Sequence, residues 1–252
     1  MKHQRVPPSE SRASLVFPEL LPSRLPETTG GTTGGEQIRV KRRTRPDFAT
    51  VAEKNRSVKT TTMSFASMHR YGELYVNFMK TRKRVFIDQL GWNLPCADGM
   101  EFDQYDTPFC RMVVVHEYGE VLAGIRLSPT TAQVGLHSYM LRDAQLGLLN
   151  GLPRDVLFFD APVDPTVWEA TRVFITDAVG AARRPAIQKI LVNKMIDTVK
   201  ESGGSSIIGI VPKIYARWLR RLDLNAVPVG PRFRIDGTLN QAILFNTRYS
   251  IQ

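Results

Sequence analysis

Between residues 71 and 90, apolar positions return at three- and four-residue intervals. Tyr71, Leu74, Tyr75, Phe78, Phe86 and Leu90 fall on one stripe, which predicts a helix with a single buried face. Further on, the period changes to two. Residues 111–116 and 120–128 read as strands joined by a short turn at Tyr118 and Gly119, an antiparallel hairpin. Residues 137–150 are mixed and Leu-rich, and a short helix is expected there. Residues 167–175, VWEATRVFI, read as a central strand. Pro185 opens a second long helix at a position where proline is tolerated. Its stripe is Ile187, Ile190, Leu191, Met195 and Val199, and Gly203 and Gly204 stop it. Residues 206–211 form a buried strand and 214–222 a helix. Residues 232–236 and 241–245 are the last two strands. A mostly antiparallel sheet with helices packed on it is an α/β sandwich of about 185 residues.

No such period persists in the first 65 residues. They are rich in Pro, Gly, Thr and Ser, with TTGGTTGG and VKRRTR as the clearest pieces. The expected organisation is a basic, disordered or weakly ordered extension over 1–65 and one folded domain over 66–252. A chain starting at Met63 is then expected to keep whatever activity the domain has.

Composition narrows the classes. A chain of 252 residues with 42% hydrophobic content can build one sizeable core. The formal net charge is +10, which suits an acidic partner, but +6 of it lies in residues 1–60. The VKRRTR run is read as a solvated tail, so no nucleic acid is expected. Two cysteines exclude a disulfide scaffold, and four unclustered histidines argue against a zinc site. No apolar run reaches the ~20 residues of a membrane span, and the N-terminus lacks the apolar core of a signal peptide. A soluble, cytoplasmic monomer is the expectation.

Several charges sit where charge is costly. Arg82 lies on the apolar stripe of the first helix, four residues before Phe86. A guanidinium cannot shed its proton, so it must find an anion. Asp103 and Asp106 are available in a loop that can fold back. Arg126 lies within a strand, and Glu169 and Arg172 interrupt a strand otherwise made of Trp, Val, Phe and Ile. By strict alternation Glu169 and Arg172 face opposite sides of the sheet. A β-bulge between them would bring them together, and bulges are common beside active sites. Separate structural ion pairs are the competing account.

Taken in order, Arg82, Phe86, Trp92, Asp103, Asp106, Arg126, Glu169 and Arg172 carry a resemblance. With the surrounding words RVFIDQLGW, DGMEFDQYDTP, AGIRLSPTT and WEATRVFI, they resemble the acyl-homoserine lactone synthases, the autoinducer synthase family of quorum sensing. The resemblance spans residues 68–245 and leaves the first 65 aside. Thr171 stands where many members have serine, which retains the hydroxyl.

The resemblance implies a fold like that of the GNAT acyltransferases, with a twisted sheet that opens into a V-shaped cleft. It implies an enzyme that joins an acyl group, carried on acyl carrier protein or coenzyme A, to S-adenosylmethionine. The amine attacks the thioester, and the methionine carboxylate then displaces 5′-methylthioadenosine and closes the lactone. S-adenosylmethionine is a substrate, and neither metal nor cofactor is implied.

Under that resemblance Glu169 is the candidate general base or amine-orienting group, with Arg172 beside it. Arg82, Phe86, Trp92, Asp103, Asp106, Arg126 and Thr171 are the candidate substrate-binding set. Trp92 and Phe86 offer aromatic faces to the sulfonium or adenine; structural packing is the competing reading for both, and for Phe86 the favoured one. The acyl pocket is assigned to Leu141, Phe174, Gly209 and Val211. A threonine in that last strand often accompanies 3-oxo acyl chains in the family; Gly209 leans away from them and leaves extra room. Carrier docking is assigned to Arg183, Arg184, Arg217, Arg220 and Arg221, basic residues suited to an acidic carrier. A GNAT-like N-acyl amino acid synthase is the alternative, sharing fold and thioester chemistry but not S-adenosylmethionine.

Overall fold

The computed structural model describes residues 57–212, 219, 224–235 and 237–247. Its core is a seven-stranded sheet. The strands are β1 (Val58–Met63), β4 (Arg111–Glu117), β5 (Glu120–Pro129), β6 (Val167–Ile175), β7 (Ser206–Pro212), β8 (Ala226–Ile235) and β9 (Thr238–Asn246). A separate two-stranded ribbon pairs β2 (Cys96–Ala97) with β3 (Met100–Glu101). The order across the large sheet is β1-β4-β5-β6-β7-β9-β8. Every neighbouring pair is antiparallel except β6 with β7. Among the described residues three α-helices accompany the strands: α1 (Glu73–Arg82), α2 (Met140–Gln145) and α3 (Arg184–Glu201).

Each face of the sheet buries one long helix. On one face Ile187, Leu191, Met195 and Val199 of α3 meet Val113, Val115, Ile125, Leu127, Trp168 and Ile175. On the other, Phe78, Met79 and Phe86 meet Met112, Val114 and Phe174. The helical stripe from residue 71 to 90 is therefore real, but it is not one regular helix. After Arg82 the backbone widens into a π-helical stretch, Lys83–Gln89, and Leu90 N–H bonds back to the Val85 carbonyl at 3.1 Å. Such stretches recur at functional sites. This one leaves Arg82, Val85 and Phe86 all buried.

Two features of β6 shape the centre. Arg126 pairs with Thr171 and Gly124 with Phe174, so Ile125 alone faces both Arg172 and Val173. That is a β-bulge, and Arg172 takes a φ of 54°, the left-handed region that a non-glycine residue rarely occupies. The second feature is the short pairing with β7. Only Val167, Trp168 and Glu169 find partners, in Ser206, Ile207 and Ile208. Past Glu169 the two strands part while β7 continues its ladder with β9 to Pro212. The sheet opens there into the V-shaped cleft the resemblance implied.

The folded part begins earlier than the sequence suggested. Residues 58–63 lie inside the expected extension, yet all six pair with β4. Met63 is fully buried, and Thr62 Oγ1 lies 2.9 Å from Thr198 Oγ1 of α3. The strand was hidden because its sequence, VKTTTM, is almost wholly polar. Threonine is β-branched and suits an edge strand regardless of hydropathy. The proposed helix at 214–222 lies outside the described residues apart from Leu219. No helix among the described residues is long and apolar enough to cross a membrane.

Candidate active site

The bulge decides which side chains meet. Trp168 and Ile175 join the α3 core, and Ala170 and Val173 pack against it. Glu169, Thr171, Arg172 and Phe174 all serve the opposite face, toward α1 and α2. Without the extra residue, Arg172 would point into the α3 core.

Three arginines and three carboxylates interlock on this face. Arg82 forks onto Asp106 at 2.6 and 2.9 Å and reaches Glu101 at 2.5 Å. Arg126 forks onto Asp103 at 2.5 and 3.0 Å and touches Asp106 at 3.0 Å. Arg172 bridges Glu101 at 3.1 Å and Asp103 at 2.8 Å. The formal charges cancel, three against three, in a cluster whose side chains are all at most 9% exposed. Such packing of paired forks satisfies each guanidinium without solvent. Burial alone would raise the Asp103 carboxyl, but Arg126 and then Arg172 hold it well below the usual range. Burial likewise opposes ionisation of Asp106, and Arg126 and Arg82 overcome it. Glu101, bonded to both Arg82 and Arg172, completes the cluster. Glu101 lies within DGMEFDQYDTP, where no sequence signal marked its pairing.

The cluster backs a cleft of about 510 Å³. Phe86, Trp92, Leu94, Met140, Thr171 and Arg172 are among its lining residues. Phe86 and Trp92 stack with ring centroids 5.0 Å apart, and the Arg172 guanidinium lies 5.5 and 5.8 Å from the two rings. The Trp92 indole N–H is buried without a hydrogen-bond partner, an unsatisfied donor on a residue that lines the cleft.

Glu169 lies at the point where β6 and β7 part. It is 2% exposed, and its two oxygens accept from the backbone N–H groups of Met140 at 2.9 Å and Leu141 at 2.8 Å. Burial is the largest influence and pushes its carboxyl up to about 7, against the opposing pull of the two N–H groups and Arg126. That value suits a group that takes a proton near neutrality. Thr171 accepts a hydrogen bond from Arg126 Nε at 3.0 Å, tying this strand to the charged cluster.

A second, apolar cavity of about 60 Å³ lies on the α3 side of the split. Gly209 and Val211 line it, with Ala170, Val173, Leu191, Met195 and one polar residue, Gln188. Ala170, Val173 and Ile210 border both cavities. Two of the residues expected in an acyl pocket do not line the apolar cavity. Phe174 is fully buried against Phe78 and Phe86, because the bulge turns it away from α3. Leu141 is fully buried in a third cluster with Ile208 and Ala242. Gly209 does not leave extra room: a Cβ there would stand 2.8 Å from the Ala170 carbonyl oxygen. Its glycine permits the two strands to approach before they part.

The arginines expected to dock a carrier divide. Arg183 pairs with Glu117 at 3.1 Å, and Arg184 donates to the Thr176 carbonyl at 3.3 Å. Arg217, Arg220 and Arg221 lie outside the described residues. Among the described residues no cluster of His, Cys, Asp and Glu could hold a metal ion, and both cysteines are free.

Comparison with known proteins fits this geometry. A family model described as autoinducer synthase matches residues 67–231. An acyl-homoserine-lactone synthase from Acinetobacter baumannii is 30% identical over 174 residues, 65% of this chain and 87% of the relative. One from Ralstonia nicotianae is 34% identical over 157 residues, covering 60% of this chain and 71% of the relative. The solved structure of TofI, in a ternary complex with an inhibitor and MTA, is 25% identical with a TM-score of 0.59; the match covers 77% of this chain and 94% of TofI.

Proposed function

The chain belongs to the autoinducer synthase family, and we infer from this membership and from the site that it makes N-acyl-L-homoserine lactone. It is an acyltransferase that uses S-adenosylmethionine and an acyl thioester and releases 5′-methylthioadenosine. The TofI structure, which holds MTA, supports that product.

The single observation that carries our account of the chemistry is Glu169, a buried carboxyl poised near 7 beside the opening between β6 and β7. The amine of S-adenosylmethionine is mostly protonated at neutral pH, its ordinary value being about 8. It must lose a proton to attack. Glu169 takes that proton, directly or through one water, while its remaining lone pairs stay bonded to Met140 and Leu141. The new C–N bond forms as the thioester C–S bond breaks, and the thiol leaves on the carrier. In the second step the methionine carboxylate attacks its own γ-carbon, and the sulfonium leaves as 5′-methylthioadenosine. Past Glu169 the β6–β7 ladder ends, so backbone N–H groups along the split are available to the oxyanion.

The other residues position the substrates. Trp92 and Phe86 present stacked rings to the sulfonium or adenine, and the Trp92 N–H supplies a donor. Arg82, Arg126 and Arg172, with Glu101, Asp103 and Asp106, hold the loop over this pocket. The acyl tail passes through the split into the apolar cavity lined by Gly209 and Val211. Acyl carrier protein or coenzyme A brings the acyl group.

Glu169→Gln tests the base. Thiol release and methylthioadenosine formation should fall by roughly 10²–10⁴-fold with either donor, while S-adenosylmethionine affinity changes little. Raising the pH should restore part of the rate, because more amine is free. Near wild-type turnover at neutral pH would remove Glu169 from the chemistry.

A further inference from the structure

Asp143 is a fully buried carboxylate that the proposed chemistry does not use and that no sequence pattern singled out. It sits in α2 and collects four hydrogen-bonding groups. Tyr105 OH donates to it at 3.0 Å, and His137 Nδ1 lies 2.8 Å away. The Ser138 backbone N–H and hydroxyl donate at 3.0 and 2.9 Å. Three of these groups belong to His137 and Ser138, just before α2. The fourth comes from the loop between Asp103 and Asp106, inside the ion-pair cluster.

The two N–H groups that grip Glu169 belong to Met140 and Leu141, the first residues of α2. Tyr139, the residue before them, makes no side-chain cap bond. Asp143 instead reaches back and closes this helix start. We propose that Asp143 is a positioning residue: by fastening His137, Ser138 and Tyr105 it holds the α2 N–H groups on the Glu169 carboxylate and ties their placement to the ion-pair loop. Its bearing on turnover rests on the reading of Glu169 as base; its bearing on geometry does not.

The charges around Glu169 set the expected direction. Arg126 of β5 and the two N–H groups favour its ionised form, and Asp143 opposes it. The Tyr105 and Tyr139 hydroxyls, both raised mainly by burial, stay neutral beside it. The facing residues of the neighbouring strands, Ser128 and Ile208, do not titrate. Among the influences that favour ionisation, the two N–H bonds come first, ahead of Arg126, and Asp143 is the weakest opposing one. Loosening α2 weakens both N–H bonds to Glu169 and so raises its proton affinity, whereas loss of the Asp143 charge alone would lower it, and the measured direction separates the two.

Two measurements on the full chain test this. The first is amide hydrogen exchange at Met140 and Leu141. Asp143→Ala should speed it at least tenfold, and Asp143→Asn, which still accepts from Ser138, should restore most of the protection. Unchanged exchange in Asp143→Ala overturns the proposal. If Asp143→Ala does not fold, Ser138→Ala must show the same change at smaller size, and no change there overturns it equally. The second is the pH profile of kcat/KM. Its acidic limb should move up by about one pH unit in Asp143→Ala, a tenfold loss below the limb, with KM for S-adenosylmethionine within about twofold. A limb that stays put while Glu169→Gln abolishes it overturns the catalytic part. A limb that survives Glu169→Gln overturns the base reading instead, and the exchange result then stands alone.

Discussion

Glu169 and Arg172 lie three residues apart on β6 and serve the same face of the sheet. Glu169 accepts from α2, and Arg172 bridges Glu101 and Asp103 on the α1 side. Alternation forbids this unless the strand bulges, and the bulge is there, with Arg172 itself in the left-handed region. A positive φ at a non-glycine residue costs of order 1–3 kcal/mol and persists only where surroundings hold it. Here three contacts hold it: two carboxylates and the stacked Phe86–Trp92 pair.

Arg172→Lys keeps the charge and loses the planar fork, which a point charge cannot replace across two carboxylates. Turnover should fall at least tenfold, with unfolding free energy lower by about 1–3 kcal/mol. Steady-state kinetics alongside urea unfolding checks both. A fully active Lys variant would show that charge alone suffices.

Arg126→Ala strips Asp103 of its fork and Asp106 of one partner at once. Removing one side of a buried pair costs roughly 3–5 kcal/mol, and chemical denaturation at neutral pH should find that loss. The wild-type cluster also predicts an acid limit. Asp103 and Asp106 have folded values below their unfolded ones, so their contribution is complete above about pH 4 and is lost as pH falls below that. In Arg126→Ala this acid-side dependence should flatten.

The start of the domain can be tested by truncation. A chain beginning at Met63 loses five of the six β1 residues that pair with β4 and the Thr62 contact to α3. It should unfold at a lower temperature than a chain beginning at Ser57. Thermal melts of the two truncations decide whether the edge strand matters. The expectation that a chain starting at Met63 keeps its activity is tested separately, by assaying the same two truncations.

Gly209→Thr should not behave as a simple change of acyl preference. A Cβ at that position meets the Ala170 carbonyl at 2.8 Å, and backbone cannot swing aside as a flexible side chain does. Strands β6 and β7 would have to shift beside Glu169. Turnover with every acyl donor should drop, whatever its oxidation state. A variant that kept its rate and changed only its preferred donor would contradict this geometry.

Much of this arrangement was legible in the sequence because apolar periodicity and misplaced charge are both strong signals. The strand at 167–175 and the helix opened by Pro185 stand where their patterns put them. Arg82 needed an anion and found two. The bulge was readable because two charges in one apolar strand must be reconciled. What stayed hidden has physical reasons. Strand β1 carries threonines where a hydropathy pattern would need valines. Phe174 faces away from α3 because one inserted residue reverses every face after it. Asp143 is a lone acid in a short mixed segment, and its partner Tyr105 lies 38 positions away. No spacing rule connects the two.

The last prediction concerns the stability that Glu169 withholds. In the folded chain its carboxyl keeps its proton up to about 7, against an ordinary value of 4.5. An acid with a raised folded value favours the folded state while protonated. As pH climbs from 4.5 toward 7 the unfolded chain releases this proton first, so stability declines across that window and the full deficit is present above it. At 1.36 kcal/mol per pH unit the deficit reaches about 3 kcal/mol. Glu169→Gln cannot titrate and lacks this dependence. It brings its own cost, because its amide NH₂ must face one of the two α2 N–H donors, but that cost is the same at every pH. The difference in unfolding free energy between Glu169→Gln and wild type should therefore move by about 3 kcal/mol in favour of the Gln variant between pH 4.5 and pH 8. Urea titrations of both proteins at those two pH values measure it. A constant difference would mean that Glu169 is ionised throughout, held by Met140, Leu141 and Arg126 more strongly than burial opposes them.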